Sequence, residues 1–431
     1  MTVNLGSTSV LEVAGIGFGP SNMALAIALE EMHGARANSP GPAMEFFEKQ
    51  PAFGWHRGML MEDATMQVSF LKDLATMRDP QSRYTFMAYL KAKGRIARFI
   101  NSKTLFPLRV EFHDYLEWVA DLLAPVVSYG SDVLAIRPVV EDGVMECLDV
   151  VVRTSAGDGE PIVRRARNVV IGTGLTPRLP DGTEESARVW HSSRLMDRAA
   201  SIAAAPRGFV VVGAGQSAAE ATEYLHRSFP GTPVSAVFAR YGYSVADDSP
   251  FTNGIFDPEA VDEFYAASRD VKQDLLDYHG NTNYAVVDLS LTEELYRRAY
   301  QEEVLGRERL RFHNASRVLK VEEHPDRVRV TVEHLPDRTV ETLDADAVVY
   351  ATGYRPSDPT PLLQNLLPEC KLDDAGRITL DRDYRIVTSG DVRCGIYLHG
   401  ASAECTHGLS AGLLSNTAVR SGEIADSIIK R

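Results

Sequence analysis

The sequence predicts an α/β protein: two parallel-sheet units, with a small, mainly helical segment set into the second. Three observations carry that prediction. An apolar strand running into a glycine-rich loop and then a helix occupies Val10 to Met32. The same succession returns from Phe209 to Phe229. Between Asp247 and Val304 the strand pattern lapses and helical stretches take over.

In the first unit, Val10 to Ala14 lead into Gly15-Ile16-Gly17-Phe18-Gly19. Gly15 permits the tight turn, and Gly17 lets backbone N–H groups approach a pyrophosphate closely. Pro20 replaces the third glycine of the pattern and suits the first helical position, where its missing N–H would be unpaired anyway. Leu25, Ala28, Leu29 and Met32 fall at the spacing of one buried helix face. The helix N-terminus favours a bound anion. A second strand, Met44 to Glu48, ends in an acid placed to accept hydrogen bonds from a ribose hydroxyl. Glu48 lies further on than the usual spacing, and His33 to Ala43 reads as the loop that adds the length. This is a dinucleotide site, and its position at the start of the chain suggests FAD.

Downstream, Phe53 to Met59 (FGWHRGM) and Met66 to Leu74 (MQVSFLKDL) are dense in aromatics and glycine. Phe86 to Lys93 and Glu111 to Leu123 read as amphipathic helices, with Arg109 just before the second. Val133 to Gly174 alternates like a set of strands and ends in Gly172-Thr173-Gly174.

The second unit has Gly213-Ala214-Gly215-Gln216-Ser217-Ala218 between strand and helix. Its next strand, Val234 to Ala239, ends in Arg240 where an NAD site would place an acid. Arginine there suits the extra phosphate of NADP; the bland reading is a solvated strand end. Strands resume from Arg311 to Val332, and Asp344 to Tyr354 closes on Ala-Thr-Gly.

The formal charge of −14 argues against nucleic-acid and anionic-membrane partners. Cys147, Cys370, Cys394 and Cys405 are scattered, which argues against a disulfide framework, a zinc site and a redox dithiol. The composition fits a reducing cytoplasm. Three glycines and a proline break the apolar run Val10 to Leu29, so it reads as buried strand and helix, not a membrane span. No internal repeat is visible.

Several stretches together carry a family resemblance: GIGFGPSN, FGWHRGM, MQVSFLKDL, GAGQSAAE, DDSPFTNGIFDP, NTNYAVVD, DADAVVYATGY and THGLS. In this order the chain resembles the flavin-dependent N-hydroxylating monooxygenases of siderophore biosynthesis, most closely the L-ornithine N5-monooxygenases. The resemblance implies two dinucleotide-binding (Rossmann-like) domains with a small mainly helical substrate subdomain. Its expected bounds are 1–195 and 344–431 for FAD, 205–248 and 305–343 for NADPH, and 249–304 for the insert.

By position, the resemblance implies that Gly15, Gly17, Pro20 and Glu48 hold FAD, with Trp55 and His56 near the flavin. Gln67 would bond the flavin edge where oxygen adds, and Arg109 would lie near the nicotinamide. Gly213, Gly215, Gln216, Ser217 and Arg240 would hold NADPH. Lys72 would pair with the substrate carboxylate; a surface pair with Asp73 is its bland alternative. Asn253, Asn283 and Ser410 would hold the amino and carboxylate groups of L-ornithine, Ser410 also lying against the cofactor. No metal is implied, and a homo-oligomer, tetramer or dimer, is compatible.

The implied chemistry runs through a flavin C4a-hydroperoxide formed from O2, which wastes its oxygen as peroxide if water intrudes. The attacking amine must be neutral, although a free alkylamine has a pKa of about 10.4; a desolvating pocket lowers that value. L-lysine N6-hydroxylation is the near alternative. A flavin disulfide reductase shares the paired domains but needs neighbouring cysteines, and a non-catalytic nucleotide-binding protein would consume no oxygen.

Overall fold

The computed structural model describes residues 9–34, 42–155, 160–202, 205–282 and 284–430. The first parallel sheet is centred on β1 (Leu11–Ile16), whose inner residues Val13 and Ala14 are fully buried. β2 (Met44–Glu48) and β3 (Val127–Tyr129) follow on one side, β6 (Ile162–Ile171) and β17 (Gly395–Leu398) on the other, all parallel. β1 is covered on both faces, so it is apolar at successive positions rather than alternating.

The helix Pro20–Gly34 packs between this sheet and the terminal helix Thr417–Lys430. Every residue from Asn22 to Leu29 is buried. The sequence predicted a single buried face. A helix covered from both sides has no solvent stripe over that stretch, so its apolar run is continuous.

The second parallel sheet runs β11 (Leu310–His313), β10 (Val234–Val237), β9 (Phe209–Val212), β15 (Ala347–Tyr350), β8 (Val189–His191). Its order matches the first, with the strand before the glycine loop central in each. Residues 189–191 and 347–350 were expected with the flanking FAD segments. Both pair in the second sheet instead, because β15 bonds β9 on one edge and β8 on the other.

Each unit carries an antiparallel meander. β4 (Ser131–Glu141) and β5 (Val144–Thr154) pair back to β6, while β12 (Ser316–Glu323), β13 (Val328–His334) and β14 (Val340–Ala345) form their own sheet. The chain passes between the two units through a two-stranded ribbon of β7 (Leu175–Pro177) and β16 (Tyr354–Pro356).

The insert is helical: Pro250–Asn253, Pro258–Ala266, Arg269–His279 and Leu289–Val304. It is tied to the segment after β16, where Tyr265 donates to the Leu380 carbonyl at 3.2 Å and Arg382 to Asp262 at 2.6 Å. Among the described residues, no helix is long and apolar enough to cross a membrane, and no group of His, Cys, Asp and Glu could hold a metal ion.

Candidate active site

Both glycine loops leave the C-terminal ends of central parallel strands, where open α/β sheets form their ligand crevice. A Cβ on Gly15 would stand 2.0 Å from the Phe46 ring. Gly17 has φ +84°, and a Cβ there would lie 2.6 Å from the Gly172 carbonyl. At Gly19 a Cβ would meet nothing within 4 Å. The loop is closely packed behind and open in front, a cradle that fits a pyrophosphate. Pro20 is the first residue of the helix that follows.

Glu48 is buried at the tip of β2, its carboxylate accepting from the Phe18 N–H and the Gln50 N–H, each at 2.8 Å. Asn22 braces the loop from the helix, donating to the Ile16 and Gly17 carbonyls at 3.1 and 2.8 Å. It also bonds His399, which burial, reinforced by the charge of Arg420, keeps neutral. The sequence reading missed Asn22, although an amide in the first turn of an apolar helix was a visible signal.

In the second loop, a Cβ on Gly213 would lie 2.3 Å from the Ala351 carbonyl, and Gly215 caps the helix Gln216–Ser228. Ser217 is half-buried in its first turn. Arg240 lies nearby and exposed, one guanidinium nitrogen donating to the Ala285 carbonyl at 2.8 Å and to Ser244 Oγ at 3.3 Å. The Ala285 backbone also sits over Gly215, 3.2 Å from where a Cβ would be. Gly215 and Arg240 are thus brought together under one segment of the insert.

Where the two units meet, a polar chain joins three predicted residues. Arg109 is the first residue of the helix Arg109–Leu122, which begins two positions earlier than predicted. Its guanidinium donates to both oxygens of Glu220, at 2.8 and 2.7 Å, and to the Met59 carbonyl at 3.0 Å. Gln216 Nε2 donates to Glu220 Oε1 at 3.0 Å and to Asp288 Oδ2 at 3.1 Å. The Asp288 N–H donates to Gln216 Oε1 at 2.9 Å, and Gln67 Nε2 reaches Asp288 Oδ1 at 3.4 Å. Burial, with the nearby charge of Glu220, raises the Asp288 carboxyl above its ordinary value, against the hydrogen bonds from Gln67 and Gln216. Neither Glu220 nor Asp288 was singled out in the sequence. Glu220 lies one helical turn beyond Gln216, which is the spacing that could have found it.

Trp55 and His56 stand edge to face at 4.5 Å, and His56 faces Tyr354 at 6.1 Å across the junction. His56 has a left-handed backbone, φ 49°. Desolvation, then the charges of Arg109 and His113, lower its imidazole to about 4. The residue as a whole is exposed, while its ring is crowded by Trp55 and Tyr354.

Asp73 points inward and accepts from the N–H groups of Ala75, Thr76 and Phe86 and from the Thr76 hydroxyl. The surface pair Lys72–Asp73 therefore does not form, and half-buried Lys72 has no carboxylate within ion-pair distance among the described residues. Asn253 donates to the Asp248 carbonyl at 2.7 Å. Ser410 is buried, its carbonyl accepting from Arg420 at 3.3 Å. These hydrogen bonds hold Asn253 and Ser410 within their own segments and do not join them to Lys72. Asn283 lies outside the described residues.

The family model for L-lysine 6-monooxygenase/L-ornithine 5-monooxygenase matches residues 9–356. The chain belongs to that family. It is 43% identical over 409 residues to the L-ornithine N(5)-monooxygenase of Burkholderia cepacia, covering 93% of this chain and 90% of the relative. The fold superposes with a TM-score of 0.92 on Kutzneria sp. 744 ornithine N-hydroxylase, KtzI, in a structure with reduced FAD, NADP+ and L-ornithine; identity is 47%, and coverage 98% and 100%. The ornithine hydroxylase PvdA of Pseudomonas aeruginosa gives 0.90 at 35% identity, with 98% and 99% covered. Membership makes the protein an enzyme of flavin-dependent N-hydroxylation. All four cysteines are free.

Proposed function

We propose that this family member hydroxylates the side-chain nitrogen, N5, of L-ornithine, using FAD, NADPH and O2. The observation that carries the reading is the junction itself. Gln67 and Arg109 from the first unit meet Gln216 from the second through Glu220 and Asp288. FAD, when bound, would supply the redox chemistry that activates O2, the source of the transferred oxygen, and the protein supplies binding, orientation and exclusion of water.

On this reading the first loop and Glu48 hold FAD, while the second loop and Arg240 hold NADPH. Lys72, with no carboxylate in ion-pair distance among the described residues, takes the substrate carboxylate. Asn253, Asn283 and Ser410 complete the substrate's polar contacts. His56, kept neutral, adds no ammonium-like proton donor beside the flavin. A cytoplasmic enzyme and a dimer or tetramer are part of this reading. Tyr296, Tyr300 and Val304 stand one turn apart on one helix, 75%, 60% and 67% exposed, an apolar stripe for a second copy.

The test is NADPH oxidation by the purified protein with ornithine, lysine or putrescine, with the hydroxylamine product quantified. Ornithine should give the most product per NADPH. Lysine hydroxylated as well as ornithine would overturn the substrate assignment, since one methylene is worth about 1–3 kcal/mol in a pocket.

A further inference from the structure

Asp288 occupies the N-cap of the helix Leu289–Val304, yet its side chain makes no capping hydrogen bond. An aspartate in that position ordinarily accepts an N–H of the first turn, a contact worth about 1 kcal/mol. Here the carboxylate turns away from its own helix. One oxygen takes Gln216 Nε2 at 3.1 Å, and the other faces Gln67 Nε2 at 3.4 Å. The backbone beneath is fixed: Val287 is fully buried and its N–H donates to the Ser244 carbonyl at 2.9 Å. The Asp288 N–H meanwhile takes Gln216 Oε1.

An ionised carboxylate only accepts, so it dictates which end of each amide faces it. Gln67 must present its NH2 to Asp288, which leaves its carbonyl oxygen as the end turned elsewhere. Gln216 is held at both ends, through its NH2 by Asp288 and Glu220 and through its oxygen by the Asp288 backbone. We propose that Asp288 is a positioning residue for oxygen transfer, setting the Gln67 amide with its carbonyl oxygen toward the flavin edge and locking that orientation to the NADPH-side helix through Gln216. The inference rests on the placement of Gln67 beside FAD.

The contact to Gln67 is the longest of the set, so its loss changes orientation more than stability. Asp288→Asn keeps the volume of the side chain but offers one acceptor oxygen to two NH2 donors. The holoenzyme with Asp288→Asn, Gln67→Ala or both is compared with the unmodified protein. Two readouts are used: the visible absorption band of bound FAD without turnover, and peroxide released per NADPH in the presence of ornithine. Asp288→Asn should displace the band in the same direction as Gln67→Ala and raise peroxide severalfold. The double variant should go no further than Gln67→Ala alone. If the two effects add, Asp288 does not act through Gln67 and the proposal falls. If Gln67→Ala alters both readouts and Asp288→Asn neither, the proposal falls while the placement of Gln67 stands. If Gln67→Ala leaves both unchanged, that placement falls and the proposal with it. A loss of FAD content confined to Asp288→Asn would mark it as a folding residue and overturn the proposal equally.

Discussion

Arg109, at the head of its helix, holds Glu220 of the opposite unit in a two-pronged ion pair, with side chains only 12% and 7% exposed. A pair this enclosed is more costly to break than to replace. Glu220→Ala strands a guanidinium in the junction and should lower stability by about 3–5 kcal/mol. Thermal unfolding of the holoenzyme measures it. The double variant with Arg109→Ala should lose less than the sum of the two single variants; strict additivity would show that the two residues do not depend on each other.

Arg240 is exposed, and one of its nitrogens is engaged by Ala285 and Ser244. A phosphate contact to arginine is charge-assisted and specific. Arg240→Ala should cut the preference for NADPH over NADH by about tenfold or more, equivalent to about 1.4 kcal/mol. Comparison of kcat/KM for the two cofactors checks this. An unmodified enzyme that uses both equally well would remove Arg240 from the 2′-phosphate.

Lys72 gives the third expectation. Putrescine has no carboxylate, so if Lys72 holds the substrate carboxylate, putrescine leaves that charge without its partner, a penalty of about 2–5 kcal/mol where the bound substrate covers it. Putrescine should be rejected strongly and lysine more mildly. Lys72→Ala should raise KM for ornithine without changing FAD content. Comparable turnover of putrescine and ornithine by the unmodified enzyme would contradict the assignment.

His407, 1% exposed in the THGLS stretch, gives a pH dependence. Its Nε2 donates to the Arg382 carbonyl at 3.1 Å, and desolvation lowers the ring to about 4. The unfolded chain takes up this proton near pH 6.5 while the folded protein does not until about pH 4. The stability that the neutral ring contributes is therefore whole above pH 6.5 and drains away as pH falls toward 4, by about 3 kcal/mol in all. His407→Gln should flatten the fall of the unfolding midpoint between those pH values. An unchanged slope would place the acid sensitivity elsewhere.

The glycine loops were legible because backbone geometry dictates them: Gly17 must take φ +84° against the Gly172 carbonyl, and only glycine does so cheaply. The family stretches likewise marked Gln67 and Gln216. Three things were not legible. Helix Pro20–Gly34 showed residues at one-face spacing, but its cover, Thr417–Lys430, comes from the other end of the chain. The shared strand order of the two sheets left no repeat in the sequence, since any apolar, β-branched set satisfies a buried parallel strand. Asp288 and Glu220 read as ordinary acids because their partners are distant: 221 positions separate Gln67 from Asp288, and 111 separate Arg109 from Glu220.

The ribbon of β7 and β16 makes one unit a guest inside the other, and that has a consequence for synthesis. All five strands of the guest sheet, from Val189 to Tyr350, have left the ribosome before β17 is made. The guest can close on itself while the host still lacks the strand that pairs with the end of β6 and the helix that covers Pro20–Gly34. Until Gly395–Leu398 arrives, that flank of β6 stays open, an edge that invites association with other nascent chains. Deletion of the last forty or so residues should therefore yield a chain whose second sheet is formed and whose first is prone to aggregate.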